Sequence, residues 1–499
     1  MVVSALGGRT QATVQQLVEM RRQLDDLQRQ LATGRKASNY ADLGAASGLT
    51  IALRSQLATL SGFDQTMQTV GIRLELAQTA LTRIGEIGSA TKASLLQDFT
   101  IGSDGQAQAQ RNARSRLDEL LDLLNTQVDG RYLFSGRTVD GPAVASGAEI
   151  IEGDGARAGL RQVIDERRQA DLGADGLGRL VLDAVGNTVS LAEDAAASPF
   201  GFKLAAASTD IAGATVAGPA GTPPSLSIDF GAATPQPGQT VTLTLSLPDG
   251  TTETLRLTAT ASTSPAAGEF AIGASAGATA ANFRAALDTS LHALAGTRLV
   301  AASAMAAGAE FFALDATQVP QRVAGPPFAT ATALTAATPS DTMFWYTGEI
   351  APDAPRGAAS ARIDAGIAVN YGMRANEEAL RTLVQNVAVL AATSFAPTDP
   401  QARDAYAALA DRLRPALDGA PSVQTVQEIA SDIAAAQSAI KSAEERHRQS
   451  QGVLAGLLDE TQGISNEEVV AQILSVQTRL QASLQATAIL YQLNLVDYL

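Results

Sequence analysis

The chain has 499 residues, which at roughly 150 residues per domain predicts about three domains. Its 36 Lys+Arg against 51 Asp+Glu give a net charge of -15, which argues against nucleic-acid binding, because a polyanion is held by clustered cations. With no cysteine and only two histidines, His292 and His447, the chain has no disulfide, thiol nucleophile, thiolate zinc site, iron–sulfur cluster or His-based metal cluster. Aromatics make up 4% against a hydrophobic fraction of 45%, so the apolar content is mostly Ala, Leu, Val and Ile. That mixture suits packed helices better than an aromatic-lined pocket. Met1–Arg9 lacks the basic and apolar regions of a cleaved signal peptide, and none is expected. No apolar run reaches the roughly 18 residues that a membrane span needs, so no membrane insertion is expected either.

In chain order, Leu17, Met20, Leu24, Leu27 and Leu31 alternate spacings of 3 and 4, a coiled-coil seam with Arg21, Arg22, Asp25, Asp26 and Arg29 off it. A break at Thr33–Lys36 precedes a longer seam, Met67, Val70, Leu74, Ala77, Leu81 and Ile84. The run Leu117, Leu120, Leu121, Leu124 and Val128 is expected to be helical and to stop at Asp129–Gly130. Residues 141–199 read as a connecting segment. From 200 to 345 the chain turns rich in Ala, Thr, Gly and Pro. There Val241, Leu243, Leu245 and Leu247 alternate along one strand face, Pro248-Asp249-Gly250 makes a turn, and Leu255 and Leu257 resume the pattern: a β-hairpin. Phe283, Leu287, Leu291 and Leu294 form a helical stripe, expected to close at Gly296. After 346 helices return: Leu380–Leu390, Leu409–Leu417, the seam Val426, Ile429, Ile433, Ala436, Ile440, Ala443 and His447, and finally Val469, Ile473, Val476, Leu480 and Leu484.

The expected fold is mainly α: an elongated coiled-coil helical bundle formed by segments 1–140 and 346–499, with an α+β domain, 200–345, inserted between them. A narrow bundle encloses little volume for a substrate but offers a long side for self-association. Most seams of this kind are intrachain cores. The stretches 10–31 and 469–495 would lie at the bundle tip with few intrachain neighbours, so they are expected to be ordered by other subunits.

No residue set reads as catalytic, cofactor-binding or metal-binding. Gly85–Lys92 departs from the phosphate-loop spacing and lies on the run of a helical seam, so it reads as helix. Asp171–Gly176 lacks the alternating oxygen ligands of a calcium loop and reads as a turn. His447 falls on a seam and reads as packed, with Glu444 a possible charge partner. His292 reads as surface, and Trp345 as a packing anchor.

Leu31-Ala-Thr-Gly-Arg-Lys-Ala-Ser-Asn-Tyr-Ala-Asp42, followed by Ala45–Ile51, resembles the flagellin N-terminal signature through Gly34, Arg35 and Asp42. Asp129-Gly-Arg-Tyr-Leu-Phe-Ser-Gly136 is similar to a segment of the flagellin-like hook-associated proteins, through Gly130, Arg131, Tyr132, Phe134 and Gly136. Gln477–Thr487 and Leu490–Leu493 resemble the last helix of that family. The resemblance spans roughly 1–140 and 370–499. It implies a non-enzymatic structural subunit of the bacterial flagellum that supports motility, without cofactor, exported without a cleaved signal through the flagellar type III apparatus. Its implied partners are other copies of itself, neighbouring axial proteins, the export apparatus and an export chaperone. Hook–filament junction protein and filament flagellin both fit, with the Gly130–Gly136 segment favouring the first. Another exported coiled-coil protein, such as a needle or adhesin component, or an enzyme within 200–345, are the remaining alternatives.

Overall fold

The structure, a computed structural model, describes residues 2–37, 39–96, 100–419 and 424–496. The chain is mainly helical, with long helices at both ends and a strand-rich insertion, in agreement with the fold class read from the seams. Its helices are α1 (Val2–Thr33), α2 (Ser47–Ser94), α3 (Gln108–Leu124), α4 (Gly147–Glu152), α5 (Leu160–Leu172), α6 (Ala276–Leu294), α7 (Val300–Phe312), α8 (Glu378–Ala392), α9 (Ala402–Asp418), α10 (Val426–Gln462) and α11 (Asn466–Val496). Two compact units result: residues 1–70, 361–369 and 438–499 form the first, and residues 71–360 and 370–437 the second.

In the first unit the two chain ends meet. Gly34, at φ +65°, stops α1 in the left-handed conformation that glycine adopts without penalty, and its N–H donates back to the Gln30 carbonyl at 2.7 Å. The break between α10 and α11 lies beside it. Lys36 N–H donates to the Gln462 carbonyl at 2.8 Å, and Ile464 N–H to the Gly34 carbonyl at 3.3 Å. This clip sets α1 and α11 antiparallel. Leu27, Val469 and Val476 are buried between them, with Met20, Leu24, Leu31, Ile464 and Ile473 partly buried around. The terminal helices therefore partner each other within one chain, which replaces the expectation that only other subunits order them.

In the second unit, β1 (Gln127–Val128) and β2 (Arg131–Tyr132) pair antiparallel. Asp129 and Gly130 are the two residues between them, both at positive φ (52° and 73°), as a type I′ hairpin turn requires. The expectation that Asp129–Gly130 stops a helix is corrected: α3 ends at Leu124, and Val128 belongs to a strand. An Asp-Gly pair satisfies either role, and the partner strand decides between them.

Two four-stranded sheets follow. One has the order β3-β4-β7-β6, from β3 (Leu180–Val185), β4 (Thr188–Glu193), β6 (Thr215–Ala220) and β7 (Ser225–Asp229). The other has the order β10-β9-β8-β5, from β5 (Lys203–Thr209), β8 (Thr240–Ser246), β9 (Thr252–Thr260) and β10 (Glu269–Ala271). The β8–β9 hairpin is the one read from the alternation, with Val241, Leu243, Leu245 and Leu257 buried. The inward faces of both sheets share a core with Phe283, Leu287 and Leu291 of α6. The sheets begin at Leu180, inside the stretch read as a connection. Gly186 at φ +62° turns β3 into β4 in the manner of a type II′ hairpin.

The α6 stripe does not close at Gly296. The chain passes through a π-helical turn, Ala295–Leu299, directly into α7. A Cβ on Gly296 would lie 2.0 Å from Oε1 of Gln401, so the glycine admits α9's leading side chain and caps nothing. Helix α7 belongs with the helices rather than the sheets: Gly308 sits so close to α8 that a Cβ would lie 2.3 Å from Cγ2 of Val389. Trp345 is fully buried against Phe312 and donates its Nε1–H to the Phe312 carbonyl at 3.2 Å, a packing anchor. The strands β11 (Gln321–Val323) with β12 (Leu334–Ala336), and β13 (Ser360–Arg362) with β14 (Ala368–Asn370), complete the strand set.

Candidate assembly surface

The α1–α11 pair is a narrow two-helix contact. Of the seam residues read from sequence, Leu27, Val469 and Val476 are buried, and Leu17, Met20, Leu24, Leu31, Ile473 and Leu480 are half-buried. Leu484 is the exception at 52% exposed. Beyond Leu480 the half-buried positions are Ser483 and Thr487, which continue the alternation of 4 and 3 from Val469. Leu484 stands one residue past that register, and one residue turns a side chain by about 100° around the helix. The side chains of Leu490–Leu493 lie outside the described residues.

What the pair does not cover is as informative. Val14 (55%), Leu474 (57%) and Ile489 (56%) are exposed on the same two helices as Leu484. Leu49, Ile51 and Val453 are exposed elsewhere in the same unit. Single exposed aliphatics are ordinary on a protein surface; here they recur along the length of two long helices.

The motif residues separate into two sites. In the first unit, Gly34 ends α1, Arg35 bridges Gly463, and Asp42 is exposed in the 3-10 turn Tyr40–Ala46. Arg54 reaches back to that turn, donating to the Tyr40 hydroxyl at 2.6 Å and to the Gln462 side-chain oxygen at 2.9 Å. In the second unit, Gly130–Gly136 joins distant segments of sequence. Phe134 is buried and its carbonyl accepts from Ala375 N–H at 2.8 Å, while Gly136 N–H donates to the Met373 carbonyl at 3.0 Å. Gly136, at φ +69°, leaves room for Glu349, whose Oε2 would lie 2.5 Å from a Cβ there. Glu349 accepts from the Arg137 amide at 3.0 Å and pairs with Arg374, itself buried and donating to the Ala351 and Asp353 carbonyls. Hydrogen bonding from Arg137, with Arg374 adding to it, holds the Asp353 carboxyl below the usual carboxylate range.

His447 is packed, as its seam position implies, at 3% exposure. Its charge partners come from other elements rather than from Glu444: Nδ1 lies 3.4 Å from Asp64 on α2 and Nε2 3.6 Å from Asp364 between β13 and β14. Phe63 lies beside the ring. The two nitrogens face different carboxylates, so the three groups do not converge on one point. His292 is at the surface, with Nε2 3.1 Å from the Asp175 carbonyl. Gly85–Lys92 is helical, within α2. Among the described residues no acid or histidine cluster could hold a metal ion, and no helix is long and apolar enough to cross a membrane.

Sequence reading missed the buried ion networks. Asp171, placed in a turn, is the last acidic residue of α5, fully buried, and paired with Arg167 at 2.9 Å. Arg167 also pairs with Glu310 of α7, lies over the Phe200 ring, and donates to the Pro199 carbonyl at 3.1 Å. Burial raises both carboxyls above their ordinary values, outweighing the lowering pull of the Arg167 guanidinium that they share. The Arg167/Asp171 spacing of one helical turn was a visible signal; Glu310 was not.

Residues 8–138 match the family model of the bacterial flagellin N-terminal helical region. The matched stretch runs from α1 through α3 and the β1–β2 hairpin, and so contains both motif sites on the N-terminal side. It supports the bacterial flagellin family, a structural, non-enzymatic family whose members assemble into self-polymerising flagellar filaments outside the cell. No curated protein matches the chain.

Proposed function

We propose that this chain is a structural subunit of the bacterial flagellum that polymerises through α1 and α11 and stands at the hook–filament junction. The observation that carries the polymerising role is the terminal-helix pair: it buries one stripe and leaves Val14, Leu474, Leu484 and Ile489 exposed along its length. Lateral contact with further copies would remove those aliphatics from water, at about 25 cal/mol per Å2 of apolar surface. The seam from Leu17 to Leu31 and from Val469 to Leu480 is then the element that sets helix register in the assembly. The subunit is exported through the flagellar type III apparatus, with an export chaperone holding the apolar helices until release. It works without cofactor or metal.

The junction assignment rests on Gly130–Gly136, with its hairpin turn and its dock onto 373–375. Filament flagellin is the second reading, favoured by the strand-rich insertion, which suits a domain displayed on a filament. Immunogold labelling on isolated flagella separates the two: label confined to the hook tip supports the junction, and label along the filament supports flagellin. Removal of 1–31 or 469–499 should leave a soluble monomer that does not assemble. Normal incorporation of either truncated chain would sink the polymerising role itself.

A further inference from the structure

We propose that the second unit carries a binding site for a small oxyanion, a phosphate, sulfate or carboxylate group, in the pocket lined by Arg73, Arg131, Tyr132, Ser360 and Tyr371. This cavity of about 270 Å3 lies where the α2 segment after residue 70, the β1–β2 hairpin, and the segments 358–360 and 371–373 come together. The inference is independent of the flagellar reading, because it rests on the unsatisfied chemistry of these side chains.

Two arginines line one cavity that no carboxylate lines among the described residues. Nε of Arg73 is enclosed by protein and has no hydrogen-bond partner. The other arginines of this neighbourhood are engaged in ion pairs. Arg137 and Arg374 hold Glu349 and Asp353, and Arg356 holds Glu377. Neither Arg73 nor Arg131 makes an ion pair with a carboxylate among the described residues. An oxyanion entering the cavity meets two arginines that no carboxylate neutralises, and hydrogen bonds between ionised partners are stronger than neutral ones. The fork of donors on arginine matches the oxygen spacing of phosphate, sulfate and carboxylate.

The hydroxyls add donors of the right kind. Those of Tyr132, Tyr371 and Ser360 make no hydrogen bond to another described residue, and each can donate to an anionic oxygen. The walls are set by backbone pairing rather than by the side chains: Tyr132 N–H donates to the Val139 carbonyl at 3.0 Å, and Tyr371 N–H to the Ala359 carbonyl at 2.9 Å. A pre-formed wall lowers the ordering cost of binding. Met373 supplies an apolar side, so the cavity admits an oxyanion carrying a short carbon body as well as the free ion.

The test uses the full chain as a monomer and titrates sodium sulfate and sodium phosphate against sodium chloride at matched ionic strength, reading heat of binding and thermal midpoint. Sulfate and phosphate stabilise most proteins by exclusion from the surface, so the decisive quantity is a saturable component that depends on the two arginines. Wild type should show it. Arg73→Gln and Arg131→Gln should each weaken it roughly tenfold or more, the loss of one charge-assisted contact. Arg256→Gln, at an exposed arginine on β9 outside the pocket, should bind as wild type does. Should Arg73→Gln misfold by circular dichroism, Tyr371→Phe keeps the fold and should still reduce affinity. The absence of a saturable component in wild type, or its persistence in Arg131→Gln, overturns the site. So does a wild-type monomer that binds neither ion while Arg131→Glu blocks polymerisation: the arginines then serve an acidic side chain of a neighbouring copy.

Discussion

Leu27→Ala tests whether the terminal helices pair within a single chain. Leu27 is 5% exposed and lies between Val469 and Val476, so truncation removes most of the buried aliphatic surface that α1 contributes at that level. Core Leu→Ala changes cost about 2–5 kcal/mol, and a two-helix contact, free to collapse, belongs at the lower end, about 2 kcal/mol. That loss shifts the opening of α1 by roughly 30-fold, because each 1.4 kcal/mol is a factor of about ten. Arg21, Arg22 and Arg29 lie on the helix that opens, which makes limited trypsin digestion of the monomer the direct assay. When opening and reclosing are fast relative to cleavage, the rate follows the open population. Cleavage at these arginines should accelerate roughly 30-fold in Leu27→Ala and stay near wild type in Leu474→Ala, whose side chain is 57% exposed. Equal cleavage in wild type and Leu27→Ala would refute the intrachain pair and return the termini to ordering by other subunits alone.

Gly130→Val forces a β-branched residue into the left-handed turn position and should cost about 1–2 kcal/mol or more in urea unfolding; an unshifted midpoint would remove the type I′ turn. Gly308→Ala drives a methyl into Val389, pushes α7 from α8, and should cost about 1–3 kcal/mol by the same measurement, with an unchanged midpoint ruling out the close packing. Glu310→Gln tests the shared guanidinium. Both Asp171 and Glu310 have folded values raised above their unfolded ones, so the folded chain binds more protons, and stability at this site is present in acid and falls as pH rises through the raised values. Wild type should therefore lose thermal stability, relative to Glu310→Gln, as pH rises above the ordinary carboxylate range. Parallel pH profiles for the two proteins would mean that Arg167 neutralises both acids.

The helical seams were legible because an apolar period of 3 and 4 has one structural solution. Met67, Leu74, Ala77, Leu81 and Ile84 are all buried, as are Ile429, Ile433, Ile440 and His447 on α10. The β8–β9 hairpin was legible for the same reason at period 2. Signals with two solutions were not. Asp129–Gly130 caps a helix or turns a hairpin, and Arg131 and Tyr132 pairing back onto Gln127 and Val128 chose the hairpin. Gly296 ends a helix or admits a neighbour, and Gln401, some hundred residues on, chose the second. Leu484 sits one residue off the register that Val469, Ile473, Val476 and Leu480 establish, and a helix of 31 residues carries apolar side chains beyond its single stripe.

By itself, then, the sequence determined the helical ends and the β8–β9 hairpin. Periodicity records which face of an element is apolar, since that is a local property of spacing. It does not record what covers the face. That Leu27 meets Val469 and Val476, that Asp64 and Asp364 flank His447, and that Arg167 is shared by Asp171 and Glu310 all depend on partners far along the chain. So do the pairs that Arg374 makes with Glu349 and Asp353 and Arg356 with Glu377. Only the tertiary structure decided these contacts, because burial and charge neutralisation act on whatever the folded chain brings within a few ångströms, regardless of sequence distance.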